Sequence, residues 1–307
     1  MAQWEEEASC PLCKSEHNYE AAQVLQKFSQ NSSTINQHSE TNLHHPNDLY
    51  IIQCKKCGLF FLSPRLKKEA MHKVYETMTY FKGNSNVGYN DYEEQKKTLI
   101  LTFNWFLKKL KRKKLIGGAL LDVGCGSGLF LEKSKPFFSK TVGTDLCKDM
   151  ANEAAKRCDV ALCGGPLAAK KFGPFNLITT IGVIEHIYNP IDFLEECVAL
   201  LAPGGHIILV TPNIKGIWYK IMKKRWPSFK LPEHIAYYHP DAMRELAKRT
   251  SMTLKGFFSY HQVFPLSLVL KYLGFSANKK NKILNIEIPL PWVMMATILK
   301  KNDTYSR

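Results

Sequence analysis

Three sets of residues in this chain have the types and spacing to do chemistry. The first is two cysteine pairs, Cys10-Pro11-Leu12-Cys13 and Cys54-Lys55-Lys56-Cys57. Two such knuckles supply four thiolates, the donor set of a closed tetrahedral zinc site. Gly58 permits the tight turn that aims the second pair of sulfurs inward. The second set is Asp122, Gly124, Cys125, Gly126, Gly128 and, further on, Asp145. An apolar run from Ala119 to Val123 reads as a buried parallel strand that breaks into a glycine turn. A strand, a glycine turn and a helix bring backbone N–H groups and a helix N-terminus to face a ligand. Asp145 ends the next strand, Thr141 to Asp145, where an acid accepts hydrogen bonds from a ribose diol. The third set is Glu185, His186 and His234. These side chains can orient a substrate or move a proton near neutral pH.

The elements that must position these sets follow from the patterning. Strands are expected at Ala119 to Val123, Thr141 to Asp145, Val160 to Cys163, Phe175 to Gly182 and His206 to Val210, then at Thr253 to Tyr260 and Trp292 to Leu299. Helices are expected at Leu66 to Tyr80, Glu93 to Lys114, Lys148 to Cys158, Pro190 to Leu201 and Met243 to Ser251. Alternation of strand and helix predicts an α/β, doubly wound sheet. The organisation expected is a zinc-ribbon module over 1–65, a helical connection and ligand lid over 66–118, and the α/β domain over 119–307. An aromatic- and proline-rich insertion, 213–239, would roof the substrate. The polar stretch between the knuckles is longer than the usual ~15–20 residues and reads as a loop. It holds His17, His38, His44 and His45, which could compete as ligands, but four sulfurs already fill the site.

The glycine turn discriminates between ligand classes. A dinucleotide fingerprint wants Gly-x-Gly-x-x-Gly, and its third glycine would fall at Leu129. Leu120 to Gly128, LLDVGCGSG, instead resembles the first motif of class I S-adenosylmethionine-dependent methyltransferases, and VGTD, ending at Asp145, resembles their second. LAPGGHIILVTPN, Leu201 to Asn213, resembles the turn and strand that follow in that class. The resemblance implies a Rossmann-like seven-stranded sheet whose last strand is antiparallel. It implies S-adenosylmethionine as cofactor, held by Asp122, Gly124, Cys125, Gly126, Gly128, Asp145 and Leu146, with Cys163 and Gly164 beside the adenine. Val183 to Ile187 resembles the fourth motif, whose strand end faces cofactor and substrate. Ubiquinone-type O-methyltransferases carry a metal-holding Glu three positions before the Glu-His pair. Gly182 stands there in this chain, so no catalytic metal is expected.

The knuckles, followed by GLFFLSPRL and a Tyr-bearing helix, also resemble the zinc-binding part of bacterial sugar and small-molecule methyltransferases, with Lys14 where glycine is usual. Trp226 to His234 resembles the Trp…Pro-x-His insertion of that subgroup and makes His234 the expected general base. Tyr80, Tyr89 or Tyr92 would meet the methionine end of the cofactor. The implied acceptor is a small molecule of sugar, lipid or quinone type, methylated on oxygen or carbon.

Composition bounds the alternatives. The 307 residues can bury one large core plus a satellite module, and the chain is 45% hydrophobic. No apolar run reaches the ~18 residues of a membrane span, and the N-terminus has no signal-like apolar stretch. A cytoplasmic location is expected, with the nine cysteines as thiols and metal ligands rather than disulfides. The net charge of +15 admits nucleic acid, an anionic membrane surface or acidic substrates as partners. The basic run from Lys108 to Lys114 and the apolar stretch from Val263 to Phe275 are the candidates for peripheral membrane contact. RNA methylation is the second functional reading. Against it, the fourth strand ends in Glu-His and lacks the Asn/Asp-Pro-Pro-Tyr used on base amino groups. A third reading is a scaffold that keeps the fold without turnover.

Overall fold

The computed structural model describes residues 4–5, 8–15, 22–29, 48–76, 92–272 and 286–302. The N-terminal part begins with β1 (Trp4–Glu5), β2 (Ala22–Ser29), β3 (Asp48–Cys54), β4 (Phe60–Ser63) and β5 (Arg65–Leu66). β1 pairs with β5, and β2, β3 and β4 form an antiparallel meander. β4 is buried at every position because both faces of this sheet are covered. Phe61 joins the large core beneath the sheet. Phe60 and Leu62 join a separate cluster with Trp226, Phe229 and Leu231. Helices α1 (Lys68–Glu76) and α2 (Tyr92–Arg112) follow.

The main sheet is built from β6 (Ala119–Val123), β7 (Lys140–Asp145), β8 (Val160–Cys163), β9 (Phe175–Ile181) and β10 (Leu201–Pro212). Helices α3 (Leu129–Ser134), α4 (Lys148–Ala155) and α5 (Pro190–Leu200) lie between them. Next come α6 (Ile217–Met222), β11 (Ala236–Tyr237), α7 (Pro240–Lys248), β12 (Met252–Pro265), α8 (Leu266–Tyr272) and β13 (Glu287–Lys301). The sheet has seven strands in the order β12-β13-β10-β9-β6-β7-β8. β6 to β10 run parallel, and β13 is antiparallel to both β10 and β12.

Strand alternation divides the core. Leu121, Val123, Ile178, Ile207 and Leu209 face one cluster, shared with α5 and α7. Leu120, Leu177, Ile208 and Val210 face the other, shared with α2 and α3. Near-continuous apolar strands are what two covered faces demand. The order reverses between β6 and β9, the switch point where open α/β sheets leave a crevice at the strands' carboxyl ends.

The elements differ from the sequence expectation mainly at their ends. The helix expected over Leu66 to Tyr80 begins only at Lys68, because Arg65 and Leu66 pair with β1. Residues 77–80 lie outside the described residues. The turn expected at Pro203-Gly204-Gly205 is a bulge inside β10, which starts at Leu201 and shifts register before His206. Val263 to Phe275 divides: its first three residues finish β12 and Leu266 starts α8. The insertion does more than roof a pocket. Its Ala236 and Tyr237 pair antiparallel with Phe61 and Phe60, adding a fourth strand to the cysteine-bearing sheet. No helix among the described residues is long and apolar enough to cross a membrane.

Candidate active site

The glycine turn is shaped by three different requirements. Gly124 has φ +74°, and a Cβ there would meet Val183 at 2.5 Å. Gly128 has φ +81°, and its Cβ would meet the α4 backbone at Ala154 at 2.8 Å, so this glycine serves helix packing. Gly126 alone of the three opens onto empty space, and it lines the cavity beside it. The N–H groups of Gly124 and Cys125 donate to the Thr144 carbonyl, and that of Gly128 to the Cys125 carbonyl. The N–H of Gly126 donates to Asp145 Oδ2 at 2.9 Å. The turn thus spends the N–H groups of Gly124, Cys125, Gly126 and Gly128 on the chain itself, as a buried backbone must.

Asp145 is the acid that faces the ligand space. Its Oδ1 accepts the Cys147 N–H at 2.9 Å, so both oxygens are oriented by backbone donors and each keeps a lone pair for a diol. Burial raises its pKa, and the two N–H bonds pull the other way. Leu146, Gly164 and Gly165 continue the same wall. Asp122 takes a different place. Its carboxylate accepts from Thr179 Oγ1 at 2.6 Å inside the sheet, and burial pushes its pKa up to about 7. The Cys125 thiol is packed against Gly143 and belongs to the core on the α3 side. Asp122, Cys125, Gly128 and Cys163 are not among the residues lining the cavity. Tyr80 and Tyr89 lie outside the described residues, as do His17, His38, His44 and His45.

The cavity holds about 1310 Å³, ample for a nucleoside cofactor and a second molecule. Beyond the glycine turn it is lined by Glu185, His186 and His234, and then by apolar residues of α8 and β13, among them Leu268, Val269, Leu290 and Val293. The insertion carries His234 over the end of β9 through two backbone bonds, Ile235 N–H to the Glu185 carbonyl and Leu62 N–H to the Ile235 carbonyl. Sequence reasoning read Glu185 and His186 as one pair and His234 from a distant insertion, and the structure brings the ligand atoms of all three within 4.8 Å of one another.

His186 Nδ1 lies 3.0 Å from the Glu233 carbonyl, and His234 Nδ1 2.8 Å from the Ser228 carbonyl. A carbonyl only accepts, so each Nδ1 carries the hydrogen and each Nε2 holds the lone pair. The rings meet edge to face, centroids 4.7 Å apart. Burial first, then the Lys230 charge, lowers the His186 pKa to about 3. Burial, with His186 and Lys230 adding to it, holds His234 well below the usual imidazole range. Glu185 Oε2 accepts from Thr211 Oγ1 at 3.0 Å, and burial lifts its pKa to about 7. Two neutral imidazoles and one carboxyl are a base-and-relay set, and also a donor set that could take a divalent ion. The sequence expectation of no catalytic metal rested on Gly182. His234 supplies a third donor from the insertion, which no local spacing could have shown.

The four cysteine sulfurs also lie within 4.8 Å of one another. Cys10 and Cys57, and Cys13 and Cys54, are 3.5 Å apart, close to the roughly 3.8 Å edge of a tetrahedron with Zn–S bonds of about 2.3 Å. Ser15 Oγ sits 2.9 Å from Cys13 Sγ, where a hydroxyl can donate to a thiolate. Lys14 adopts φ +56°, the conformation glycine usually supplies at this turn. Its ammonium reaches the Tyr188 carbonyl at 3.3 Å and the Asn189 side chain, both on the cavity wall. Sequence reasoning missed this bridge from knuckle to active site, as it missed Lys230, because nothing in a linear spacing signals either.

A seven-stranded α/β sheet with a glycine turn and an acid on the wall of a cavity at its switch point is an arrangement suited to a nucleoside-bearing ligand. Residues 92–253 match the family model described as "Methyltransferase domain". The match covers more than half of the chain, which belongs to this family and is an S-adenosylmethionine-dependent methyltransferase. Among curated relatives, the ubiquinone biosynthesis O-methyltransferase of Vibrio parahaemolyticus serotype O3:K6 is 28% identical over 177 residues, 52% of this chain and 74% of the relative. The enzyme of that name from Caulobacter sp. strain K31 is 36% identical over 105 residues, 32% of this chain and 42% of the relative. Among solved structures, the magnesium protoporphyrin IX methyltransferase of Synechocystis PCC 6803 superposes with a TM-score of 0.49 at 12% identity, covering 77% of this chain and all (100%) of that one.

Proposed function

We propose that this enzyme methylates an oxygen or carbon of a small molecule, with His234 as general base, and that Cys10, Cys13, Cys54 and Cys57 hold a structural zinc ion. The observation that carries the first reading is the His234 imidazole. It is buried, oriented by Ser228, and shares one cavity with Asp145 and Gly126. When bound, the cofactor's sulfonium supplies an electrophilic methyl group, so the protein must align the nucleophile and remove its proton. Asp145, Gly126, Leu146 and Gly164 position the nucleoside. His234 Nε2 accepts the acceptor's proton, and the Glu185 carboxylate offsets the positive charge that forms. The surrounding burial excludes water, while apolar residues of α8 and β13 suit an acceptor with an apolar body. The names of the relatives, which concern a quinone, support an aromatic hydroxyl as one acceptor class.

The test is release of S-adenosylhomocysteine by the zinc-loaded enzyme. The acceptors are a set of alkyl catechols, a nucleotide-linked keto-sugar and a single-stranded RNA. Release with a catechol or the sugar is expected. Release with RNA alone would refute the small-molecule reading.

A further inference from the structure

We propose that the face formed by α2, α6, β12 and β13 docks on an anionic lipid bilayer. On α6, Ile217 and Ile221 stand one helical turn apart and are 52% and 54% exposed, while Trp218 and Met222 of the same helix line the cavity. The Trp218 indole N–H donates to the Pro291 carbonyl at 2.7 Å, which fixes α6 against β13 next to Trp292. Trp292 is exposed and has φ +57°, a backbone conformation that strains a residue with a side chain. Its N–H donates to Ser259 Oγ at 2.7 Å, which lies 3.3 Å from His261 Nδ1. The His261 ring stacks on exposed Trp105 of α2, centroids 5.3 Å apart and planes at 7°. Exposed Trp105, Trp292, Ile217 and Ile221 are thus carried on α2, β13 and α6, elements that these contacts tie to one another and to β12 beside the active-site cavity.

Cations flank the α6 isoleucines in sequence. Lys215, Lys220, Lys223, Lys224 and Arg225 are all exposed, and 213–232 contains no Asp or Glu. Lys108 lies over the Trp105 ring, 5.8 Å from its centroid. Indoles favour the headgroup level of a bilayer, aliphatic side chains gain by leaving water, and lysines gain from anionic headgroups. The isoleucines decide between polyanions. They offer a base neither a stacking face nor a hydrogen bond, so they fit lipid and not RNA. The face shares Lys108 with the basic run the sequence singled out for membrane contact, and its other named residues lie outside both of the segments singled out there. This inference does not rest on the methyl-transfer reading.

The experiment is co-flotation of the full chain with phosphatidylcholine vesicles, with and without phosphatidylglycerol. Binding only to the anionic vesicles, weakened by salt, is expected. Lys220→Ala, Lys223→Ala and Lys224→Ala together should weaken it roughly 100-fold, at about fivefold per cation. Ile217→Ser with Ile221→Ser leaves every charge in place and should weaken it at least about tenfold. Both variants change exposed side chains, and unchanged far-UV circular dichroism would confirm their fold. Absence of anionic-vesicle binding by the wild type would overturn the inference. So would vesicle binding indifferent to the Ile217/Ile221 change, or salt-sensitive RNA binding indifferent to it in place of vesicle binding.

Discussion

His234→Asn is expected to lower turnover by roughly 10²–10⁴-fold while the affinity for S-adenosylmethionine stays within about a few-fold. The split follows from where the residue sits. His234 and Asp145 line the cavity from different elements with no shared hydrogen-bond partner, so loss of His234 removes the proton acceptor and leaves the nucleoside contacts intact. Asparagine can still donate to the Ser228 carbonyl, which keeps the insertion seated, but it has no basic lone pair. His186→Asn is the comparison, because His186 shares the burial and the edge-to-face contact. If His234 is the base, its loss costs far more in kcat than the loss of His186 does. Equal losses would assign both rings a packing role.

The same burial gives His186 an acid-sensitive share of stability. The folded protein holds His186 at about 3, below the unfolded imidazole value of ~6.5. As pH falls through that window the unfolded chain takes a proton the native site refuses, so this residue's contribution declines on the acid side. Asp122 and Glu185, both raised to about 7 by burial, act in the opposite direction over the same range, so the check is the difference between wild type and His186→Asn. The variant should lose the His186 share of the acid decline, and melting temperatures with the same pH dependence in both proteins would contradict this placement.

Cys54→Ser is expected to unfold the N-terminal sheet and to take activity with it. A structural zinc site contributes about 10–16 kcal/mol in small metal-dependent folds, comparable with the whole stability of a typical domain. The loss would not stay local. Ala8, Leu12, Leu59 and Phe61 of this module are part of the core beneath the main sheet. β4 pairs with β11, the strand that begins two residues after His234. Lys14 grips Tyr188 and Asn189 beside the Glu-His pair. Calorimetry of the wild type with and without a zinc chelator, beside Cys54→Ser, should show one early transition in both treated samples. A chelated wild type that melts unchanged and still turns over would exclude a structural metal.

Much of this enzyme was legible in the chain because its chemistry is local. Asp122 to Gly128 and Thr141 to Asp145 are contiguous, their strands are short apolar runs, and the knuckles read directly as a ligand set. The strands at Ala119–Val123 and Val160–Cys163 fall where the sequence put them. What stayed hidden is non-local. Gly124, Gly126 and Gly128 look equivalent in sequence, yet Gly124 avoids Val183, Gly128 avoids α4 and stays off the cavity wall, and only Gly126 has open space where a Cβ would stand. Asp122 and Asp145 look like a matched pair, yet Thr179 on the neighbouring strand claims the first. The joining of Ala236 and Tyr237 to the cysteine-bearing sheet, and with it the approach of His234 to His186, depends on pairing across most of the chain. No periodicity encodes that.

The most direct measurement is isothermal titration of the zinc-loaded protein with S-adenosylmethionine, repeated on Asp145→Asn. Wild-type binding should weaken by more than ~100-fold in the variant, since charged hydrogen bonds are worth about 1.5–3 kcal/mol each and a ribose diol makes two. Absence of binding by the wild type, or equal affinity in the variant, would contradict the assignment of this cavity to the cofactor.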